Sequence, residues 1–296
     1  MKFNLFNTHS FILFLFVLTL ESCSSEQNLK RLEVNLIPSI SSSNMRTVNL
    51  DENGSGRFSE KDQIRLVMTD GKNPISSILY TINKPLFWDE LTIHPQTQSV
   101  IFAGIYPYIE IENFEKFIFN IQTAENKDLL IAEPIHVPIK STNPQHLVFR
   151  HAMHKVEVNY AISSDALLDN AQIGTTLRNI APEAIINVIK GTNEGVTEKR
   201  TDITAKGQKV TFLFPPQNAD AITLEVKIKA EGELQERTYT YPFPKNIEGK
   251  EEPLKKFEEN SVIRLNLKVT RTAILLESAT ISPWNSQGEI KDEIII

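Results

Sequence analysis

The sequence predicts an all-β chain of two tandem sandwich-like domains behind an export signal. Three observations predict it. Apolar and polar residues alternate with period two in many short windows, as half-buried strands require. Turn formers such as Asn73-Pro74, Pro85, Pro95 and Pro107 separate these windows, at roughly the 8–15 residue spacing of sandwiches and barrels. No window of the first half carries an apolar stripe at helical spacing.

Composition bounds the function. The 296 residues fit two ordinary domains, and 41% hydrophobic with 23% charged residues is a globular mixture. A net charge of −6 weighs against a nucleic-acid partner, which needs a clustered basic face, and against anionic lipid surfaces. Cys23 is the single cysteine, which excludes an intramolecular disulfide, a CxxC redox site and a cysteine-based zinc site.

The position of Cys23 gives it a meaning. Lys2 is a thin positive n-region, and Phe11–Leu20 is an uncharged run of ten residues. That is too short to span a bilayer, which takes about 20 apolar residues, and right for a secretory h-region. Leu20-Glu21-Ser22-Cys23 resembles a bacterial lipobox. The resemblance implies a signal peptide over residues 1–22 and fatty acylation of Cys23, and Ser24 after the cysteine points to the outer membrane. Two or three acyl chains anchor stably where one would not.

The expected body divides at Ser141–Pro144 into a first domain, 23–140, and a second, 141–296. In the first, Leu32, Val34 and Leu36 alternate as a strand that Pro38 and the serine-rich run 39–44 end. Further strands are expected at Thr47–Leu50, Gln63–Met68, Ser77–Ile82, Ser99–Ala103 and Lys116–Ile121. In the second, Leu147–Tyr160 is one long strand or two with a bend. Ala184–Lys190, Lys209–Phe214, Ile222–Ala230, Leu234–Tyr241, Ser261–Val269 and Ala273–Ile281 follow. Asp165–Gln172 is the one helix candidate.

Few residues invite chemistry. His151 and His154 could suggest a metal, but residues three apart on a strand point to opposite faces. One packed and one solvated histidine is the expectation. His94, His136 and His146 are isolated. There is no G-x-S-x-G elbow, and Gly54-Ser55-Gly56 lacks the lysine of a phosphate loop. Glu251-Glu252 and Glu258-Glu259 read as a solvated connector. Phe87, Trp88, Tyr106 and Tyr108 either stack on a sugar or pack a core. The residues point away from an enzyme and call for no metal or cofactor.

Several segments together resemble the fimbrillin family of Bacteroidetes lipoproteins. Besides Leu20–Cys23 they are Phe58–Ile64 (FSEKDQI), Trp88 with Phe102–Tyr108 (FAGIYPY), Leu147–Val158 (LVFRHAMHKVEV), Phe212–Gln217 (FLFPPQ) and Ala279–Trp284 (ATISPW). The resemblance implies two transthyretin-like β-sandwich domains in an outer-membrane lipoprotein precursor. It implies that a trypsin-like protease cuts after a basic residue behind the first strand, here Arg46 or, as second choice, Arg57. Loss of that strand, Leu32–Ile37, opens a groove that a strand of another fimbrial subunit fills. Glu289–Ile296 is then a donor strand or an ordinary edge strand. The implied product is a stalk, tip or anchor subunit of adhesive fimbriae. The other reading is a monomeric lipid-anchored surface protein that binds a glycan or host protein.

Overall fold

A computed structural model describes residues 31–41, 58–164, 171–230 and 235–284. Cys23, Arg46, Arg57 and Glu289–Ile296 lie outside the described residues, as do Thr47–Leu50 and most of the helix candidate. The described chain is β throughout, as expected. Its first eight strands are β1 (Leu36–Ile40), β2 (Gln63–Thr69), β3 (Ser76–Thr81), β4 (Ser99–Tyr106), β5 (Phe117–Asn120), β6 (Leu130–Ala132), β7 (Ile135–Pro138) and β8 (Gln145–His151). There follow β9 (His154–Ile162), β10 (Gln172–Ile180), β11 (Glu183–Asn187), β12 (Thr192–Val196) and β13 (Thr201–Lys206). The last are β14 (Lys209–Phe214), β15 (Thr223–Lys229), β16 (Arg237–Pro242), β17 (Ser261–Val269) and β18 (Ile274–Pro283). A 3-10 turn covers Trp88–Glu90.

The first sheet runs β1-β8-β6-β4-β2-β3, with β7 pairing the start of β4. All its pairs are antiparallel except β1 with β8, which is parallel. Both faces are buried. Ile64, Leu66, Met68, Phe102, Leu147 and Phe149 face one core, and Val67, Ala103, Ile105 and Ile131 face another. A sheet covered on both sides calls for near-continuous apolar strands, which explains the run Leu66-Val67-Met68. The second core extends into the sandwich of sheets β14-β9-β17-β18 and β13-β10-β15-β16. A third sheet, β12-β11-β5, joins the halves, because β5 comes from the first and pairs antiparallel with β11 of the second.

The structure bears on three expectations. Leu147–Tyr160 takes the second of its two expected forms, two strands, with Ala152-Met153 between them. The Ser141–Pro144 turn, where the domain boundary was expected, leads into β8, which is hydrogen-bonded into the first sheet, and sheet membership changes between His151 and His154. The apolar alternation of Leu147 and Phe149 completes the first core, which is why pairing continues past the turn. Gln172, the last residue of the helix candidate, opens β10, a strand whose buried Thr175 and Thr176 satisfy their hydroxyls on Tyr160 (2.7 Å) and Thr204 (2.9 Å). Gly191 closes the turn after β11 at φ 63°, and a Cβ there would stand 2.3 Å from the Ala132 carbonyl oxygen. Left-handed backbone and close approach both require glycine.

Both histidines of the 151–154 pair are buried, so the expected solvated one does not exist. His151 donates from Nδ1 to Asp128 Oδ1 at 2.8 Å and stacks on Trp284 at 3.8 Å and 4°. His154 donates from Nδ1 to the Glu258 carbonyl at 2.8 Å, among Phe214 and Phe257. Burial holds His154 neutral and lowers its pKa to about 4. The unfolded chain therefore binds the extra proton between the ordinary histidine pKa of about 6.5 and that value, and stability falls as pH drops through this window. The loss totals roughly 3 kcal/mol. Urea unfolding at stepped pH should show this slope, and His154→Leu should flatten it.

Candidate functional site

The site is the seat of the N-terminal strand. Residues 31–41 form an extended segment clasped on two sides. On one side Trp88 N–H donates to the Leu32 carbonyl at 2.9 Å and Val34 N–H to the Leu86 carbonyl at 2.7 Å, with Glu33 bridged antiparallel to Phe87. On the other side β1 runs parallel to β8, Leu36 opposite Gln145 and Ile40 opposite Phe149. Gln145 N–H reaches the Asn35 carbonyl at 2.8 Å, and Ser41 N–H the Phe149 carbonyl at 2.6 Å.

The strand is thus longer than the Leu32–Ile37 expected, because it passes through Pro38. In a parallel ladder only alternate residues bond one neighbour, and here these include Asn35 and Ser41. Pro38 belongs to the other set, so its missing N–H faces the open edge of the sheet. Proline is tolerated there and would not be in a central strand.

Val34 and Leu36 drive the seating. They are 2% and 8% exposed, and they join the core of Ile64, Leu66, Phe102, Leu147 and Phe149. Burying each is worth about 1.5–3 kcal/mol. Phe58, the first described residue after the 42–57 gap, returns to the same core and stacks edge-on against Phe149 and Tyr106. Both ends of that gap therefore meet the same core.

Arg31 fastens the start of the segment. Its Nε is 2.8 Å from Asp89 Oδ2 and its Nη2 2.7 Å from Asp89 Oδ1, a bidentate pair, with Glu90 Oε1 2.8 Å from the same Nη2. Its guanidinium lies 4.0 Å over the Phe87 ring. The 3-10 turn places both carboxylates, and Phe87 N–H donates back to Glu90 Oε2 at 3.3 Å. Hydrogen bonds from Arg31 hold the Asp89 carboxyl below its usual range. Beside Arg31 opens a cleft of about 510 Å³ walled by Leu32, Trp88, Leu91, Ile93 and Ile139. Asp70 stiffens its far side. It accepts from the N–H groups of His94, Asn73 and Lys72, which keep its carboxyl well below the ordinary value.

The aromatic residues singled out in the sequence do not converge on one platform. Phe87 and Trp88 belong to the strand seat, and Trp88 is buried with Nε1 donating to the Ser141 carbonyl at 3.2 Å. Tyr106 packs on Phe58. Tyr108 donates or accepts within the network of Arg65, a buried cation that also binds Ser77, Glu110 and the Ile109 carbonyl. Among the described residues no three histidine, cysteine, aspartate or glutamate side chains gather to hold a metal. Gln217 has a role the sequence does not announce. Its buried amide caps Ala181 N–H at 2.8 Å and the Pro215 carbonyl at 3.0 Å.

Leu36→Ala should destabilise the fold by about 2 kcal/mol, the lower end for buried leucine, because the site lies at a sheet edge. Ile37→Ala, at a position 39% exposed, should change stability by less than about 0.5 kcal/mol. Urea titration of both variants checks the difference.

Comparison with known proteins assigns the family. A fimbrillin-like family profile matches residues 46–284. No curated protein sequence matches the chain. The crystal structure of a candidate cell adhesion protein from Bacteroides uniformis is similar, with TM-score 0.61, 16% identity, and coverage of 86% of this chain and 99% of that one. A second, from Bacteroides ovatus, has TM-score 0.57 and 15% identity over 86% and 98%. A third, from Parabacteroides distasonis, has TM-score 0.50 and 9% identity over 87% and 99%. At such identities the likeness establishes a shared fold, and the profile match across most of the sequence establishes descent: the chain belongs to the fimbrillin-like family.

Proposed function

We propose that this protein is a structural subunit of adhesive cell-surface fimbriae, assembled by exchange of its first strand. In this reading the chain is exported as a lipoprotein, acylated at Cys23 and held on the outer membrane. A trypsin-like protease cuts after Arg46, or failing that Arg57, in the 42–57 segment that joins β1 to Phe58. Segment 31–41 then leaves, and a strand from another subunit takes its place.

The observation that carries this reading is the way segment 31–41 is held. It is an edge element, bonded to β8 and to 86–88, with two buried side chains, and no chain-spanning core depends on it. Its removal exposes the β8 ladder and the apolar wall around Leu147 and Phe149. An unpaired, apolar sheet edge is a template for another strand, and an incoming one recovers both hydrogen bonds and burial. Family membership supports the reading, as do solved relatives described as cell adhesion proteins. The family match itself begins at Arg46, downstream of β1.

Digestion of the full chain with an arginine-specific protease tests the proposal. The expected result is a new N-terminus at Thr47 by Edman sequencing, and growth into oligomers by size-exclusion chromatography with light scattering. Resistance at both Arg46 and Arg57, or a cut chain that stays monomeric, overturns it.

A further inference from the structure

Away from the strand seat, β5 is the end strand of its sheet, and β11 pairs one of its edges. Ile121 N–H donates to the Pro182 carbonyl at 3.0 Å, and Phe119 lies opposite Ala184 in the same register. Alternate residues of an antiparallel ladder bond the same neighbour. Phe117 and Phe119 therefore bond β11, while the N–H and carbonyl of Ile118 point to the open side. The Asn120 carbonyl on that side already accepts from Thr123 and Ala124 N–H.

A cleft of about 430 Å³ opens along this edge. All four residues of β5 line it, from both faces of the strand, and no residue of β11 does. Pro107, Tyr108 and Ile109 form a further wall, and the turn 123–126 completes the lining. The 107–109 wall is held from behind. Arg65, a buried cation on β2, donates to the Tyr108 hydroxyl at 2.9 Å, to the Ile109 carbonyl and to Glu110. Its guanidinium covers the Tyr108 ring at 4.5 Å, yet it does not line the cleft. A buried guanidinium is costly unless fully bonded, and here the bonding fixes Tyr108 against the cleft. The turn is rigid too. Gln122 N–H donates to Asn120 Oδ1 at 2.8 Å, and Asp128 N–H to Asn126 Oδ1 at 3.0 Å. Glu125, between them, has no hydrogen-bond or ion-pair partner among the described residues.

We propose that this cleft binds a neutral saccharide, with Tyr108 as its platform and the Ile118 backbone and the Glu125 carboxylate as its polar partners. A pyranose has an apolar C–H face and a rim of hydroxyls that both donate and accept. The rings of Tyr108, Phe117 and Pro107 match the first, and the β5 edge with Glu125 matches the second. No lysine or arginine lines the cleft, and Glu125 makes its field negative, so a sialylated or sulfated glycan is repelled. An extended peptide gains little, because Ile118 alone offers both its backbone groups. The inference does not rest on strand exchange, since the cleft shares no residue with the seat of segment 31–41. Repetition of the site along a polymer would raise a weak single-site affinity through avidity.

The test applies the full, uncut chain to an array of neutral, sialylated and sulfated glycans. The best ligand, and an extended hexapeptide alternating valine and threonine, then go to isothermal titration calorimetry. Neutral glycans should bind, and their sialylated counterparts should bind more weakly. Glu125→Ala should weaken binding roughly tenfold, the reach of a hydrogen bond to a charged group. Tyr108→Leu should abolish it, and Tyr108→Phe, which keeps the ring, should retain it. Circular dichroism checks the fold of each variant, and Glu125→Ala removes no contact that the fold uses. Absence of neutral glycans among the ligands overturns the site, as does wild-type binding by both Glu125→Ala and Tyr108→Leu. Tighter binding of anionic glycans, or of the hexapeptide, overturns the ligand class.

Discussion

One sheet edge governs this molecule. β8 contributes Leu147 and Phe149 to the first core, so it must be covered, yet it lies next to the end of its sheet. The cover is β1, a strand from the very start of the described chain, laid parallel and held on its far flank by residues 86–88. A parallel edge pair cannot be closed by a tight hairpin, so a long connection must separate the two strands in sequence. That separation makes the covering strand dispensable to the chain's connectivity. A hairpin partner would remain tethered close by after any cut, whereas β1 is tied to the body on its C-terminal side through residues 42–57.

The polar contacts at this edge follow from the same constraint. Two buried side chains are modest anchorage for an eleven-residue segment that must give up its conformational freedom. The Arg31 cluster supplements them at the point where the segment would begin to peel. Surface ion pairs are usually weak, and this one gains from a bidentate fork, a second carboxylate and an aromatic ring together. Because it is exposed, its contribution to stability stays modest.

Much of the fold was legible because its strands alternate cleanly. Lys209–Phe214 and Ser261–Val269 coincide with β14 and β17 residue for residue. The strands that escaped notice lack that pattern. β6 has three residues and β7 four, each beside proline, while β12 and β13 are polar, with Gly195 at a bulge. β10 escaped notice because buried threonines, satisfied by other hydroxyls, interrupt its aliphatic row. At the site, the apolar rhythm of Leu32, Val34 and Leu36 was visible, but the passage through Pro38 depended on which side of the strand was open. The Arg31–Asp89 pair spans 58 residues and leaves no local signal. His151 and Trp284, both within quoted family motifs, turn out to touch, which no single motif could reveal.

Exchange of β1 is physically reasonable only if the loss stays local, and the distribution of contacts makes it so. Val34 and Leu36 belong to the smaller core, on one face of the first sheet. The opposite face of that sheet is part of the larger core, which runs without a break into the second half. The pairing of β8 with β6, the pairing of β5 with β11 and the stacking of His151 on Trp284 all form without β1 as a partner. Proteins open first where few buried contacts hold an element, and core strands last. Segment 31–41 stands at the first extreme and β8 at the second. Under the proposed exchange the groove wall would therefore survive the departure of β1, and a preformed groove is what an incoming strand needs, since ordering the wall would otherwise count against its binding.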